Sequence, residues 1–221
     1  MAEVPYLTRL EALDTNTVSD ALDHLGLPGA TVGILPLWNC PKVVGRASTV
    51  QLGRKTDDAP GLHLISPVIN AITTDDRVLV VAGGPEGISC WGDILATAAH
   101  VKHVRGTVID GWSRDIEGSE KIAYPVYGRG VTMISARNRI VQTASGTPVT
   151  VAGVRVCEGD YLVADRCGVV FIPADRIGEV LELGERIDRK QAGMVRAVLA
   201  GAPVDQVMHD RRFDESESKT V

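Results

Sequence analysis

The chain has 221 residues, with 23 Lys or Arg against 28 Asp or Glu and a net charge of -5, and this length suits one domain, which we place over residues 1–208. The acidic balance and an aromatic content of 4% argue against nucleic-acid binding. No apolar run reaches the roughly 20 residues that a membrane helix needs, and the four cysteines have no paired spacing, so we expect a cytoplasmic protein with free thiols.

The N-terminal part is predicted to contain helices and one strand. Apolar residues at helical spacing over 7–13 predict a first helix. Residues 17–20 (TVSD) have the form of a capping box that would begin a second helix, which Gly26 would end. The β-branched residues of 43–52 predict a strand, and 63–72 a third helix.

A βαβ unit is predicted over residues 77–110. The apolar run 77–82 is typical of a strand covered on both faces. A glycine-rich loop over 83–87 leads to a helix that begins near Gly92 or Asp93, and 107–110 form a second short buried strand.

The C-terminal part changes character. Short β-branched runs separated by turn residues predict antiparallel strands over 149–152, 154–156, 161–164 and 169–172. An amphipathic helix should follow from Ala174. Residues 209–221 (HDRRFDESESKTV) carry almost no apolar side chains and are predicted to be a flexible tail.

The βαβ unit offers the strongest candidate for chemistry. Ligands on such sheets bind beyond the carboxyl ends of the strands, where the helix N-terminus at 92–95 and the segment 110–115 should meet. The helix amides and Arg114 suit a carboxylate, and Asp115 with Asp93 suits a divalent cation. The alternative is structural, because such residues often serve as a helix cap and a surface ion pair.

Several segments together resemble the RraA-like / 4-hydroxy-4-methyl-2-oxoglutarate aldolase family, whose motif is a glycine followed later by Arg-Asp and a further acidic residue. The resemblance covers residues 8–205. The matching segments are 18–23 (VSDALD), 44–50 (VGRASTV), 92–96 (GDILA), 106–111 (GTVIDG), Arg114-Asp115, 153–154 (GV), 158–160 (EGD), 164–165 (AD) and 168–173 (GVVFIP).

The resemblance implies an α/β fold, an α/β/β/α swivelling-domain-like sandwich with a central βαβ unit and a C-terminal helix. It implies assembly as a homotrimer or homohexamer. It further implies a class II aldolase that uses Mg²⁺ or Mn²⁺ to cleave a 4-hydroxy-2-oxo acid to pyruvate and a second oxo acid, and that also decarboxylates oxaloacetate. The expected partners are thus a small 2-oxo acid and further copies of the chain, with no nucleic acid and no membrane.

The resemblance also implies roles for individual residues. Asp115 would be the direct metal ligand, with Asp20 in the outer shell of the metal. Arg114 would bind the pyruvyl group and stabilise its enolate, and Asp93 would hold a metal-bound water that acts as proton donor. The substrate carboxylate would lie on the backbone amides of four residues: Gly92, Asp93, Ile94 and Leu95.

Two positions depart from the family pattern. The acidic residue expected three positions after Asp115 falls on Gly118, and Glu117 lies one position early. A glutamate that aldolase members carry in the C-terminal helix, across the subunit boundary, aligns with Gln191. Since glutamine neither accepts a proton nor carries charge, the chemistry or the substrate can differ from that of the aldolases.

Other readings of the chain stay open. A non-catalytic RraA-type regulator, which binds and inhibits an endoribonuclease, would keep the same fold. The glycine-rich loop 83–87 alone suggests a methyltransferase or nucleotide-binding protein, but it has neither G-x-G-x-x-G nor the P-loop lysine.

Single residues give weaker signals. His100 and His103 have a metal-pair spacing, although a helix C-terminus also favours them through its dipole. Cys90 precedes a helix start, yet a buried inert thiol is the simpler explanation. Trp91 and Trp112 flank the predicted site and either line it or pack in the core.

Overall fold

The computed structural model describes residues 5–56 and 65–208. Its first half contains, in order, α1 (Tyr6–Glu11), α2 (Thr15–His24), β1 (Leu35–Pro36), β2 (Val43–Arg54), α3 (Ser66–Ala71), β3 (Arg77–Ala82), β4 (Ser89–Trp91), α4 (Asp93–Val101), β5 (Thr107–Ile109), β6 (Trp112–Ser113) and α5 (Ile116–Lys121). Its second half contains β7 (Val126–Gly128), β8 (Gly130–Val131), β9 (Ile140–Ser145), β10 (Val149–Val151), β11 (Val154–Val156), β12 (Tyr161–Asp165), β13 (Gly168–Ile172), α6 (Ile177–Leu199) and α7 (Val204–Val207).

The main sheet has eight strands and confirms the predicted βαβ unit. Along the order β1-β7-β5-β3-β2-β12-β13, the strands from β7 to β2 are parallel, and β12 and β13 are antiparallel additions. The remaining strand, β9, pairs with the second half of β2. A bridge between Ala30 and Val170 brings the two ends of the sheet together, so the sheet is nearly closed.

Three apolar clusters confirm the α/β/β/α arrangement. Side chains such as Val78 and Val80 fill the interior of the sheet. Their neighbours Leu79 and Val81 point outward against α3 and α4. On the opposite outer face, α1, α2 and α6 cover β12 and β13. Both faces of β3 are therefore buried, which is why its sequence is apolar without alternation.

The start of α2 corrects the sequence prediction. The helix begins at Thr15 rather than at Thr17, because the Asp14 side chain is the actual cap and accepts a hydrogen bond from the Thr17 backbone N at 2.8 Å. The three-residue spacing from Asp14 to Thr17 is itself a capping pattern, and it competes with the one that begins at Thr17. The predicted end is confirmed, with Gly26 at φ +65°.

Two short arrangements lie outside the main sheet. β10 and β11 form a separate hairpin, which confirms the strands predicted over 149–156 but places them against the interior of the main sheet. The strands β4, β6 and β8 form a small parallel sheet that the sequence did not predict, since runs of two or three residues carry no readable periodicity.

The remaining helices differ only at their bounds. The predicted C-terminal helix is present, but a 3-10 turn occupies Ala174–Arg176 before α6 begins. Of the helix predicted over 63–72, the structure has α3, while residues 63 and 64 lie outside the described residues, as does the predicted tail 209–221. Among the described helices, none is long and apolar enough to cross a membrane.

Candidate active site

The small sheet brings the two predicted site segments together. β4 ends immediately before Gly92 and β6 ends immediately before Arg114, and these two strands are parallel neighbours. The Arg114 backbone N donates a hydrogen bond to the Trp91 carbonyl oxygen at 3.0 Å. A Cβ atom on Gly92 would lie 3.0 Å from Asp115 Oδ2, so a side chain at this position would crowd the Asp115 carboxylate.

Arg114 and Asp115 form an ion pair at the start of α5. Arg114 Nε lies 3.0 Å from Asp115 Oδ2, and the side chains are 40% and 39% exposed. Asp115 has φ +55° and ψ 42°, a left-handed conformation that side-chain-bearing residues rarely adopt. Such a conformation costs free energy that the surrounding structure must offset, and it is most frequent at functional sites. In this structure the left-handed conformation directs the Asp115 side chain towards Gly92.

The N-terminus of α4 faces the same pair. Gly92 is the N-cap residue, and no side chain among residues 5–56 and 65–208 caps the first turn of this helix. The unpaired amides and the helix dipole together favour a bound anion. The Asp93 carboxylate is the one acidic side chain in this first turn.

A cavity of about 350 Å³ encloses these groups, and its far wall carries residues that the sequence analysis did not identify. Lys55 follows β2, and its backbone N donates to the Arg139 carbonyl oxygen at 2.9 Å. Arg137 and Asn138 line the cavity from the loop before β9. The signal for Lys55 was available, because β2 is parallel to β3 and its carboxyl end lies at the same edge of the sheet.

The charges that line the cavity are not balanced. Three cations, Lys55, Arg114 and Arg137, face two carboxylates, Asp93 and Asp115. Within the described ranges, Lys55 and Arg137 form no ion pair. Unpaired cations across from the helix amides make the cavity suited to an anionic ligand.

The donor set fits a divalent cation of the magnesium type. Among the described residues no group of three or more His, Cys, Asp or Glu side chains converges. Mg²⁺, however, usually binds through one or two carboxylates and keeps several waters or substrate oxygens. Asp115 and Asp93 in an open cavity would supply such a partial shell and leave positions for a ligand.

Comparison with known proteins decides the family. The model of the RraA-like family (Aldolase/RraA) matches residues 15–171. The chain belongs to the RraA-like family. The family contains both 4-hydroxy-4-methyl-2-oxoglutarate aldolases and RraA regulators.

Two relatives by sequence illustrate the range of this family. A Halalkalibacterium halodurans protein provisionally named a 4-hydroxy-4-methyl-2-oxoglutarate aldolase is 29% identical over 214 residues, which cover 97% of this chain and 96% of that protein. Protein DlpA of Legionella pneumophila is 29% identical over 209 residues, which cover 95% of this chain. The chain spans only 34% of the length of DlpA.

Solved structures agree with the RraA-like fold. An uncharacterized protein of Pseudomonas syringae pv. tomato DC3000 superposes with a TM-score of 0.80 at 31% identity, covering 91% of this chain and 96% of that one. RraAS2 of Streptomyces coelicolor, described as an unusual member of the RNase ES inhibitor RraA protein family, superposes with a TM-score of 0.76 at 26% identity, covering 89% and 98%.

Asp20, the expected outer-shell residue, is not brought to the cavity within this chain. It lies on α2, which packs against α6, and does not line the cavity. Gln191 Nε2 donates a hydrogen bond to Asp20 Oδ2 at 3.2 Å, so two positions for which the resemblance predicts acidic groups contact each other. Burial, with the nearby Asp23 and Asp14 carboxylates adding to it, raises the pKa of Asp20 despite this hydrogen bond.

The structure places the remaining residues that the sequence singled out. Cys90 is 1% exposed, and burial raises the pKa of its thiol to about 11, so the thiol is inert. Trp91 lines the cavity, whereas Trp112 does not. The Trp91 Nε1 atom is buried without a hydrogen-bond partner in the part of the chain that the structure describes. His100 and His103 lie at the far end of α4.

Proposed function

We propose that the protein is a divalent-metal-dependent carbon–carbon lyase that acts on a small 2-oxo acid. The observation that carries this proposal is the placement of the Arg114–Asp115 pair beside the uncapped amides of α4 in a cavity with net positive charge. Aldol cleavage of a 4-hydroxy-2-oxo acid and decarboxylation of oxaloacetate both leave an electron pair on a pyruvate enolate. One site that stabilises this enolate serves both reactions.

Substrate binding would use the α4 N-terminus. The amides of Gly92 to Leu95 would donate hydrogen bonds to the carboxylate next to the oxo group, because the first turn of α4 has no side-chain cap among the described residues. Arg114 lies against Gly92 and so would reach the 2-oxo oxygen of the same ligand. A guanidinium there is a fixed positive charge at the atom on which negative charge develops, and such groups contribute strongly to catalysis.

The bond-breaking step would then move electrons toward Arg114. The C3–C4 bond breaks and its electron pair forms the enolate. In aldol cleavage the C4 hydroxyl would give its proton to the Asp93 carboxylate, and the C4 fragment leaves as a carbonyl compound. In decarboxylation the C4 carboxylate leaves as carbon dioxide and no base is needed. A Mg²⁺ or Mn²⁺ ion held by Asp115 would supply Lewis-acid stabilisation of the 2-oxo oxygen. Asp93 would orient a water whose proton passes to C3 of the enolate and gives pyruvate.

Lys55 and Arg137 would bind the distal end of the substrate. They line the same cavity as the α4 N-terminus and carry no carboxylate partner among the described residues. A second carboxylate on the substrate, as in oxaloacetate, would provide that partner. This assignment supports a dicarboxylic rather than a monocarboxylic substrate.

We further propose a homo-oligomer, a trimer or hexamer. Large apolar side chains are exposed on the loop after β8 and near the end of α6, among them Met133 at 91% and Leu199 at 82%. Exposed apolar groups of this size are typical of protein–protein contacts. Light scattering coupled to size-exclusion chromatography would test the assembly, and a monomer at micromolar concentration would contradict it.

A panel of substrates tests the catalytic proposal directly. Oxaloacetate and 4-hydroxy-2-oxo acids are incubated with the protein and Mg²⁺ or Mn²⁺, with and without EDTA, and pyruvate is measured with a lactate dehydrogenase assay. Because metal ions alone slowly decarboxylate oxaloacetate, the pyruvate formed in a protein-free control with the same metal is subtracted. The remaining pyruvate should form with the metal and not with EDTA. No pyruvate above that control from any substrate would contradict the proposal.

The regulator is the second candidate, and two observations favour it. The acidic groups that RraA-like aldolases carry are replaced by Gly118 and Gln191, and RraAS2, which belongs to a family of RNase inhibitors, has the same fold. A regulator would form a salt-sensitive complex with an RNase E-type endoribonuclease and slow its cleavage of RNA. The same substrate panel would then give no pyruvate.

A further inference from the structure

The helices α4 and α5 approach each other at a point where α5 carries no side chain. A Cβ atom on Gly118 would lie 2.5 Å from the Asp93 Cβ and 3.3 Å from Asp93 Oδ2. Cβ atoms do not approach other carbon atoms this closely, so the Asp93 side chain occupies the space that a side chain at position 118 would need. Gly118 has an ordinary helical conformation, so the turn itself does not require glycine there.

We propose that Gly118 is a positioning residue that allows Asp93 to hold its place in the active site, an inference that rests on the proposed lyase function. The Asp93 Cβ is fixed to the first residue of α4, so no rotation of the Asp93 side chain relieves a contact with it. A side chain at 118 would therefore push the start of α4 away from α5. The start of α4 carries the substrate-binding amides, and Asp115 begins α5 three residues before Gly118.

This contact gives a physical meaning to the departure from the family pattern. With the backbones of α4 and α5 as they are, an acidic side chain at 118 and the present place of Asp93 exclude each other. Glu117, the neighbouring acidic residue, is exposed and does not line the cavity. We infer that Gly118→Asp impairs the site instead of restoring a family-like one.

The test compares glycine-to-alanine changes in two helices. Within a helix such a change normally stabilises a protein, because alanine has the higher helix propensity. Gly193 in α6 is the matched control, since a Cβ there meets only Arg196 Nη2, at 3.8 Å. Gly193→Ala should leave the melting temperature unchanged or raise it. Gly118→Ala should lower it by about 3 °C or more, the shift that a loss of order 1 kcal/mol causes in a chain of this size.

A second variant links the effect to Asp93. Asp93→Gly removes the Cβ atom that an alanine at position 118 would clash with. The double variant Asp93→Gly, Gly118→Ala should therefore have the same melting temperature as Asp93→Gly alone. In the wild-type background Gly118→Ala should also lower kcat/KM for oxaloacetate by at least about 10-fold at 25 °C, because displacements of about 1 Å at a site have effects of this size or larger.

The outcomes separate this inference from the proposed function. If Gly118→Ala behaves like Gly193→Ala in both assays, the positioning role is wrong. If Gly118→Ala lowers the melting temperature but keeps full kcat/KM, the contact is only structural and the inference is also wrong. If the wild-type protein has no metal-dependent turnover, the proposed function fails, and the melting-temperature comparison with Asp93→Gly alone judges whether Gly118 sets the place of Asp93.

Discussion

The two ends of the parallel strands each carry a cavity lined by charged residues, and they differ in what those charges do. The cavity at the amino ends has a volume of about 430 Å³, and the cavity at the carboxyl ends has a comparable volume of about 350 Å³. Its cations are already bound: Lys42 Nζ donates to the carbonyl oxygens of Glu11, at 2.8 Å, and of Leu13. Arg105 donates to the Val44 carbonyl oxygen at 3.0 Å and pairs with Glu11. These groups hold α1 onto the sheet.

At the carboxyl ends the charges are left available. Lys55 and Arg137 have no carboxylate partner among the described residues, and Asp115 is held in a left-handed conformation. The comparison teaches that the two cavities differ in how their charges are paired. Only the cavity at the carboxyl ends combines cations that have no carboxylate partner among the described residues with the N-terminus of α4.

The largest effect should come from Arg114. Arg114→Ala removes the cation next to the developing enolate, so we expect kcat/KM for oxaloacetate to fall about 10²–10³-fold, the usual cost of removing one such group. The unfolding free energy should change little, because the side chain is 40% exposed and pairs only with Asp115 among the described residues. Steady-state kinetics beside urea unfolding measures both. A loss of stability that matches the loss of activity would contradict the assignment.

Replacing Arg105, at the amino ends of the strands, should lower the stability of the protein and leave its activity unchanged. Arg105→Ala breaks hydrogen bonds to the carbonyl oxygens of Asp75 and Val44, so the free energy of unfolding should fall by about 1–3 kcal/mol. Because no substrate is expected at this end, kcat/KM should stay within about twofold of wild type, a change of less than 1 kcal/mol. A large loss of turnover in the folded variant would erase the distinction between the two cavities.

Removing the unpaired cations should have a smaller effect that depends on the substrate. The double variant Lys55→Gln, Arg137→Gln should raise KM for a dicarboxylic 2-oxo acid about fivefold, which corresponds to about 1 kcal/mol for partly exposed charge pairs. KM for a monocarboxylic 2-oxo acid should not change. Arg54→Gln, at the adjacent position outside the cavity lining, is the control. An equal rise for both substrates would show that these cations do not bind the distal carboxylate.

The smallest effect concerns stability and pH. Arg9 donates hydrogen bonds to Glu185 at 2.7 and 3.1 Å, which lowers the pKa of Glu185 below its usual 4.5. Because the pKa of Glu185 is lower in the folded protein than in the unfolded chain, the ion pair adds its full contribution to the free energy of unfolding at pH values above the usual pKa. This contribution is lost as the pH falls through the lowered pKa of the folded protein. Glu185→Gln should cost about 0.5 kcal/mol at pH 7, since the pair is partly exposed.

Urea unfolding at several pH values checks this expectation. The difference between wild type and Glu185→Gln should disappear as the pH is lowered below the Glu185 pKa. A difference that grows toward acid pH would contradict the direction of the pKa shift.

The fold was largely readable from the sequence because its strongest elements are local patterns. The apolar run of β3, the glycine loop after it and the start of α4 are set by burial and helix geometry, and the structure confirms them. The start of α2 was predicted wrongly, because two capping patterns overlap and only the packed structure shows that Asp14 is the one that caps. The start of α6 lies later than predicted, because a 3-10 turn occupies Ala174–Arg176.

The site was only partly readable. The approach of Arg114 and Asp115 to Gly92 follows from the strand-edge rule, and the structure has it, while their chemical roles stay predictions. Lys55 was missed although the strand-edge rule applies to the end of β2 as well. Arg137 was missed because it reaches the cavity through the pairing of β9 with β2, a contact between residues far apart in the sequence. The contact of Gly118 with Asp93 is likewise set by the packing of α4 on α5, which no sequence pattern encodes.

The most direct test of the account is the metal-dependent turnover of Asp115→Asn. Asparagine has nearly the same shape and also tolerates a left-handed conformation, so the fold should be kept while the anionic metal ligand is lost. Initial rates with oxaloacetate over a Mn²⁺ titration should fall by about 10³-fold, as expected when several kcal/mol of metal stabilisation are lost. Activity equal to wild type at the same Mn²⁺ concentration would contradict the claim that Asp115 binds the catalytic metal.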